Sequence, residues 1–248
     1  MAAQPHAGGA DGRAGEGSGR LVADVLDDVD VLVWTTESPE EQAALLLAAA
    51  TELGVERPIV LGHSYGGAVA IAWALNHPDR IAALVDISGV SMPWPGGLGA
   101  LYRINGNPVG GAIVPPLIAA FAPETAIDRT LDAIFAPNPV PRGYAGTIGI
   151  GLSLRPDSFR ANARQVNTLR PHVVAMSERY PTLDLPVEIV HGDADTIVPP
   201  EIHSQPFSQL VPGANLVMLP GVGHMPHHVD RDAVIAAIDR AAERAGLR

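Results

Sequence analysis

The chain has 248 residues, 47% of them hydrophobic, and 16 basic against 27 acidic side chains give a net charge of −11. That length and apolar share support one large domain with a sizeable core and exclude global disorder, while the acidic balance argues against sequence-independent binding to nucleic acid or anionic lipid. There is no cysteine, which rules out disulfides, thiol catalysis and cysteine-ligated metals. There is also no lysine, so every basic residue is arginine; with the abundant Ala, Gly and Pro this reads as compositional bias rather than function.

The first twenty residues are Gly-rich and polar, lack the apolar stretch of a secretory signal and read as flexible. "VDVLVW", Val29 to Trp34, reads as a strand. "SPEEQAALLLAAATELG" then reads as a helix, with Ser38 as N-cap, Pro39 in the first turn, Glu41 three residues after the cap and Gly54 as the stop. "PIVLG", from Pro58, is a continuous apolar run and predicts a strand buried on both faces of a parallel sheet. From Tyr65 onward Ala68, Ile71, Ala72 and Leu75 recur at helical spacing, and "IAALVDIS", from Ile81, is a second buried strand. Between Ser91 and about Thr182 this alternation stops, and Pro and Gly become frequent. One helical segment there, "SFRANARQVNTL", puts Phe159, Ala163, Val166 and Leu169 on one side. The run is too long for a loop in a compact domain and reads as an inserted helical cap. Strand "VEIVHG", helix "IHSQPFSQL", strand "NLVMLP" and a last helix from Asp230 complete the chain.

Strands alternating with helices predict an α/β fold, a mostly parallel sheet flanked by helices. The expected division is an atypical N-terminal segment over 1–36, a core over 37–90 and 183–248, and the cap over 91–182. No internal repeat is present. The apolar stretches near Leu45 and Ile113 are too short for a membrane span, and the second is broken by Pro115 and Pro116, so a cytoplasmic protein is expected.

"GHSYG", Gly62 to Gly66, is a G-x-S-x-G pattern between a predicted strand and a predicted helix. That setting is a nucleophile elbow, a tight turn that lifts a serine hydroxyl clear of the sheet. Gly62 and Gly66 are small, as residues two before and two after the serine need to be; His63 and Gly67 complete the stretch. The helix start puts the Tyr65 N–H where it can donate to an oxyanion. Serine is a poor nucleophile without a base, and the base needs an orienting carboxylate, in the chain order Ser, acid, His. Asp193 and Asp195 follow strand "VEIVHG", and His224 follows strand "NLVMLP". Each lies just beyond the carboxyl end of its strand, where ligand sites of open α/β sheets form.

"GHSYGG", "HGDADTIVP" and "GVGHMP" resemble the nucleophile, acid and histidine motifs of the α/β-hydrolase superfamily, over roughly Ser38 to the C-terminus. The resemblance implies Ser64 as nucleophile, His224 as base and Asp195 as acid, the last because Gly192 and Asp195 match the family's glycine, two residues, Asp. It implies a serine hydrolase with a cap, no cofactor, and acyl transfer on a small or medium hydrophobic ester as its small-molecule substrate. Hydrolysis of a carbon–carbon bond, or perhydrolase chemistry, uses the same triad. A non-catalytic binding protein on the same fold is a further alternative. A serine nucleophile speaks against haloalkane dehalogenases and epoxide hydrolases, which use aspartate there.

Plainer readings stand beside these. Asp193 and Asp195 are also turn formers. Asp86 is a polar residue at a strand end or a reserve acid. His227 and His228 invite a metal reading, but no carboxylate or histidine pair at helical ligand spacing accompanies them, and solvated histidines are expected. His63 and His191 are expected to be packed or hydrogen-bonded. Trp94, Tyr102 and Phe121 are expected either to line a pocket or to pack within the cap. The family's leading strand and His-Gly loop, which supply a second oxyanion N–H, have no clear counterpart. "HAGG", His6 to Gly9, lacks a preceding strand, and "GEGSGR", from Gly15, resembles a later glycine-rich loop only faintly. The expectation is a sheet incomplete at its front and one oxyanion donor short, with activity reduced.

Overall fold

The structure, a computed structural model, describes residues 38–96, 124–153 and 155–248. Its centre is a parallel sheet of β1 (Ile59–His63), β2 (Ala83–Ile87), β3 (Val187–Gly192) and β4 (Asn215–Leu219), whose spatial order is the chain order. The register aligns Gly62 with Asp86 and His63 with Ile87, then Ile87 with Val190 and Gly192 with Leu219. The carboxyl ends of β1 and β2 therefore finish level, as do those of β3 and β4 two residues further on, and the loops that leave them meet along one rim.

Helices cover both faces. α1 (Pro39–Glu52), α2 (Tyr65–Asn76), α3 (Glu124–Phe135), α4 (Tyr144–Thr147), α5 (Ile150–Ser153), α6 (Pro156–Ser177), α7 (Ser204–Leu210), α8 (Pro226–Val229) and α9 (Arg231–Arg244) follow in chain order. The Ser38 hydroxyl caps α1 by accepting the Glu41 N–H at 3.1 Å, and Gly54, at φ +73°, closes it. Asp230 caps α9 in the same way through the Ala233 N–H at 3.0 Å.

The strand period of two sorts the side chains. Leu84, Val187 and Ile189 join α2 and α6 in one core, where α2 is buried from Gly67 to Leu75 and is apolar all round, as a buried helix is. Ala83, Val85, Ile87 and Val190 meet Val234, Ala237 and Ala241 of α9 in the other. Glu188 also points at α9. It is fully buried, and its carboxylate is held by Arg240 Nε at 2.9 Å, an Arg244 guanidinium nitrogen at 2.7 Å and Asn215 Nδ2 at 2.7 Å. A buried charge without such partners is untenable.

Three expectations meet differences or limits. β1 is not buried on both faces: Leu61 is 43% exposed and Ile59 and Val60 are half-buried, because among the described residues β1 has a strand neighbour only in β2. The helix predicted at "SFRANARQVNTL" is longer, starting at Pro156 and continuing through Pro171 to Ser177. Ala163, Leu169, Val173 and Met176 are its buried apolar side, while Phe159 and Val166 are half-buried. The predicted strand Val29–Trp34, the "HAGG" and "GEGSGR" loops, Tyr102 and Phe121 lie outside the described residues. Within 91–182 the described residues form α3 to α6 and no strand. Among the described residues no helix is long and apolar enough to cross a membrane.

Candidate active site

Ser64 occupies the step from β1 to α2 with φ 55° and ψ −121°, a backbone region that costs a non-glycine residue about 1–3 kcal/mol. Three backbone hydrogen bonds hold it there: its N–H donates to the Ile87 carbonyl at 3.1 Å, and its carbonyl accepts the Gly67 and Val90 N–H groups, both at 3.0 Å. The glycines around it have separate causes. A Cβ on Gly62 would overlap the Gly66 carbonyl, and one on Gly67 would overlap the Asp86 carboxyl and Gly89 Cα. A Cβ on Gly66 meets nothing within 4 Å among the described residues, so none of these imposes the expected need for a small residue two after the serine. The Tyr65 N–H opens α2 and, like every first-turn amide, has no carbonyl four residues back in its helix.

The three residues singled out from sequence as nucleophile, acid and base meet at the rim. His224 Nε2 lies 3.0 Å from Ser64 Oγ, and His224 Nδ1 lies 2.8 Å from Asp195 Oδ2. With the Nδ1 proton donated to the carboxylate, Nε2 is free to accept the serine proton. Asp195 is 3% exposed and saturated with donors. Oδ1 accepts the Ile197 and Val198 N–H groups, both at 2.9 Å, and Oδ2 also receives His191 Nε2 at 3.2 Å. Burial alone would raise its pKa; the hydrogen bonds from His191 and His224 and from the Val198 N–H outweigh it and hold the carboxyl well below the usual range.

The remaining polar residues scaffold this line. Asp193 is exposed and bonds no histidine; its Oδ1 accepts the Gly221 N–H at 2.7 Å, tying the acid loop to the histidine loop. Asn138 clasps the same loop, accepting the Gly223 N–H at 2.9 Å and donating to the Gly221 carbonyl at 3.0 Å. His63 Nε2–H donates to the His224 carbonyl at 2.8 Å, and burial pushes its pKa down to about 4. The single His191 Nε2–H is shared between the Val198 carbonyl at 2.8 Å and Asp195 Oδ2 at 3.2 Å. His228 is exposed, as expected, but His227 is not solvated: it is half-buried, its ring stands 4.5 Å from that of His63, and burial pushes it to about 4. Among the described residues no group of three or more His, Asp or Glu could hold a metal ion. Asp86 is fully buried behind the elbow, without a hydrogen bond to His224 or any other group among the described residues. Sequence reasoning missed Asn138 and His203, and nothing in their local sequence marks them, because both act on loops distant along the chain.

A cavity of about 420 Å³ opens beside Ser64. Val90, Trp94, Val166, Leu169, Ile197 and Ile202 give it an apolar wall, and Thr196 and His203 add polar groups. A hydroxyl–imidazole–carboxylate line beside an apolar cavity can draw a proton from the hydroxyl onto an imidazole whose charge the carboxylate offsets.

A sequence profile described as alpha/beta hydrolase family matches residues 9–238. An uncharacterised protein of Mycobacterium tuberculosis is 26% identical over 203 residues, 76% of this chain and 56% of that protein. A 2-hydroxymuconate semialdehyde hydrolase of Pseudomonas putida is 27% identical over 190 residues, 73% of this chain and 61% of the other. This chain thus spans little more than half the length of these curated relatives. Among solved structures, an alpha/beta hydrolase fold protein from Burkholderia ambifaria superimposes with a TM-score of 0.65 at 24% identity, over 81% of this chain and 72% of that one. With the profile spanning most of the sequence and the parallel sheet carrying an elbow, the chain belongs to the alpha/beta hydrolase family.

Proposed function

We propose that the chain is a serine hydrolase that cleaves small or medium hydrophobic esters through an acyl-enzyme. The observation that carries this reading is the continuous line from Ser64 Oγ through His224 to Asp195, at 3.0 and 2.8 Å. His224 takes the Ser64 proton as the hydroxyl oxygen attacks the ester carbonyl, and Asp195 fixes the imidazole tautomer and offsets its charge. The Tyr65 N–H donates to the tetrahedral oxyanion. His224 then passes its proton to the departing alkoxide, and the same imidazole activates the water that frees the acid. Residues 91–182 act as the cap: Trp94, Val166 and Leu169 belong to that stretch and line the cavity beside Ser64. The apolar wall favours an uncharged substrate of modest size.

The likeness to a protein named 2-hydroxymuconate semialdehyde hydrolase favours a second reading, in which the same three groups hydrolyse a carbon–carbon bond. A panel of p-nitrophenyl esters from acetate to octanoate, run beside a 1,5-diketone, separates the two. Ester turnover that vanishes in Ser64→Ala supports the first reading. Diketone cleavage without ester turnover replaces it with the second, and ester turnover that survives in Ser64→Ala contradicts both.

A further inference from the structure

His203 precedes α7, is 4% exposed and lines the cavity beside Ser64, with its ring 6.2 Å from that of Trp94. Its two nitrogens have different fates. Nδ1 accepts the Met92 N–H at 3.2 Å, so it carries no proton. Burial pushes the imidazole to about 4, with His191 adding to the effect and Asp195 opposing it, so at neutral pH the ring is uncharged and its one proton sits on Nε2. That Nε2–H has no partner among the described residues. Unlike Nδ1 of His191 and of His227, it is not sealed inside the protein. A donor left unmatched in an apolar surround is costly, so the site is complementary to whatever accepts from it.

We propose that His203 Nε2–H is a specificity group, and that the preferred substrate is a neutral ester with a second oxygen acceptor, a keto or ether oxygen, on the arm that enters the cavity. The proposal rests on the reading of Ser64 as the nucleophile. A neutral oxygen fits better than a carboxylate for two reasons. The imidazole brings no charge to pair with an anion. Asp195, close enough to act on His203 through space, repels one. Among the described residues the other polar side chains that line the cavity, Ser64, Tyr65 and Thr196, carry hydroxyls rather than charges.

The test compares p-nitrophenyl pentanoate with p-nitrophenyl 4-oxopentanoate, which differ by one keto oxygen. In His203→Asn the shorter amide keeps an acceptor for the Met92 N–H and withdraws the donor from the cavity; His203→Gln keeps an N–H at the longer reach. The ratio of kcat/KM for the oxo ester to that for the pentanoate falls about tenfold in His203→Asn, through KM, and recovers partly in His203→Gln. Calorimetric binding of both esters to Ser64→Ala, with and without His203→Asn, reads the same preference without turnover. An unchanged ratio, or an equal loss on both esters, overturns the proposal and makes His203 a purely structural residue. If wild type turns over neither ester while the binding preference persists and depends on His203, the Ser64 reading fails and the recognition role of His203 stands.

Discussion

Asp86→Asn is expected to stabilise the protein at neutral pH relative to wild type, by an amount that grows as pH rises. Asp86 sits on β2 with its side chain wedged between Gly67 and Gly89, fully buried, and neither carboxyl oxygen has a hydrogen-bond partner among the described residues. Burial lifts its pKa from 3.8 to about 7, with His191 and the nearby Gly89 N–H opposing the rise only in part. Between pH 4 and 7 the folded protein therefore holds a proton that the unfolded chain has lost. The folded state binds more protons, so stability falls as pH rises through that window and levels off above it. The difference of about three pH units corresponds to about 4 kcal/mol. Asparagine has the same shape and cannot ionise. Asp195, His63, His203 and His227 titrate in both proteins and cancel in the difference. Urea unfolding of both proteins at half-unit steps from pH 4 to pH 8 measures it. The gap between the two stability curves should shift toward the asparagine variant by several kcal/mol, almost all of it below pH 7. Parallel curves would refute the reasoning, because they require Asp86 to ionise alike in the folded and unfolded states.

Asp195→Asn leaves the fold intact but favours the wrong His224 tautomer, and kcat on an ester substrate should fall about 10⁴-fold; a loss under tenfold would remove Asp195 from the line. Gly62→Ala forces a methyl group into the Gly66 carbonyl, a backbone atom that cannot swing aside, so the variant should lose more than about 3 kcal/mol by urea unfolding. Gly66→Ala meets no neighbour within 4 Å among the described residues and should stay within about 1 kcal/mol of wild type in the same assay.

The parts of the site that could be read from sequence are those whose signal is local. The elbow shows because a glycine-flanked serine follows an apolar run and precedes a helical repeat; Asp195 and His224 show because each follows an apolar strand. The choice of Asp195 over Asp193 needed the spacing from Gly192, and the two prove to differ in burial: one is inside and bonded to His224, the other is outside and bonded to Gly221. What stayed hidden depends on neighbours across the sheet. An apolar run such as "PIVLG" reads the same with strands on both sides or on one, so the exposure of Leu61 had no local sign. Gly67 owes its size to Asp86 and Gly89, some twenty residues away, and His227 owes its burial to His63. The clasp of Asn138 on the histidine loop spans 85 residues to Gly223 and follows no spacing rule.

Labelling with a fluorophosphonate, followed by peptide mass mapping, puts the nucleophile assignment to its most direct trial. Wild type should take up one phosphonyl group per chain, on Ser64, and both Ser64→Ala and His224→Ala should take up none. A folded wild-type chain that stays unlabelled, or a label found on another serine such as Ser88 or Ser91, would contradict the account.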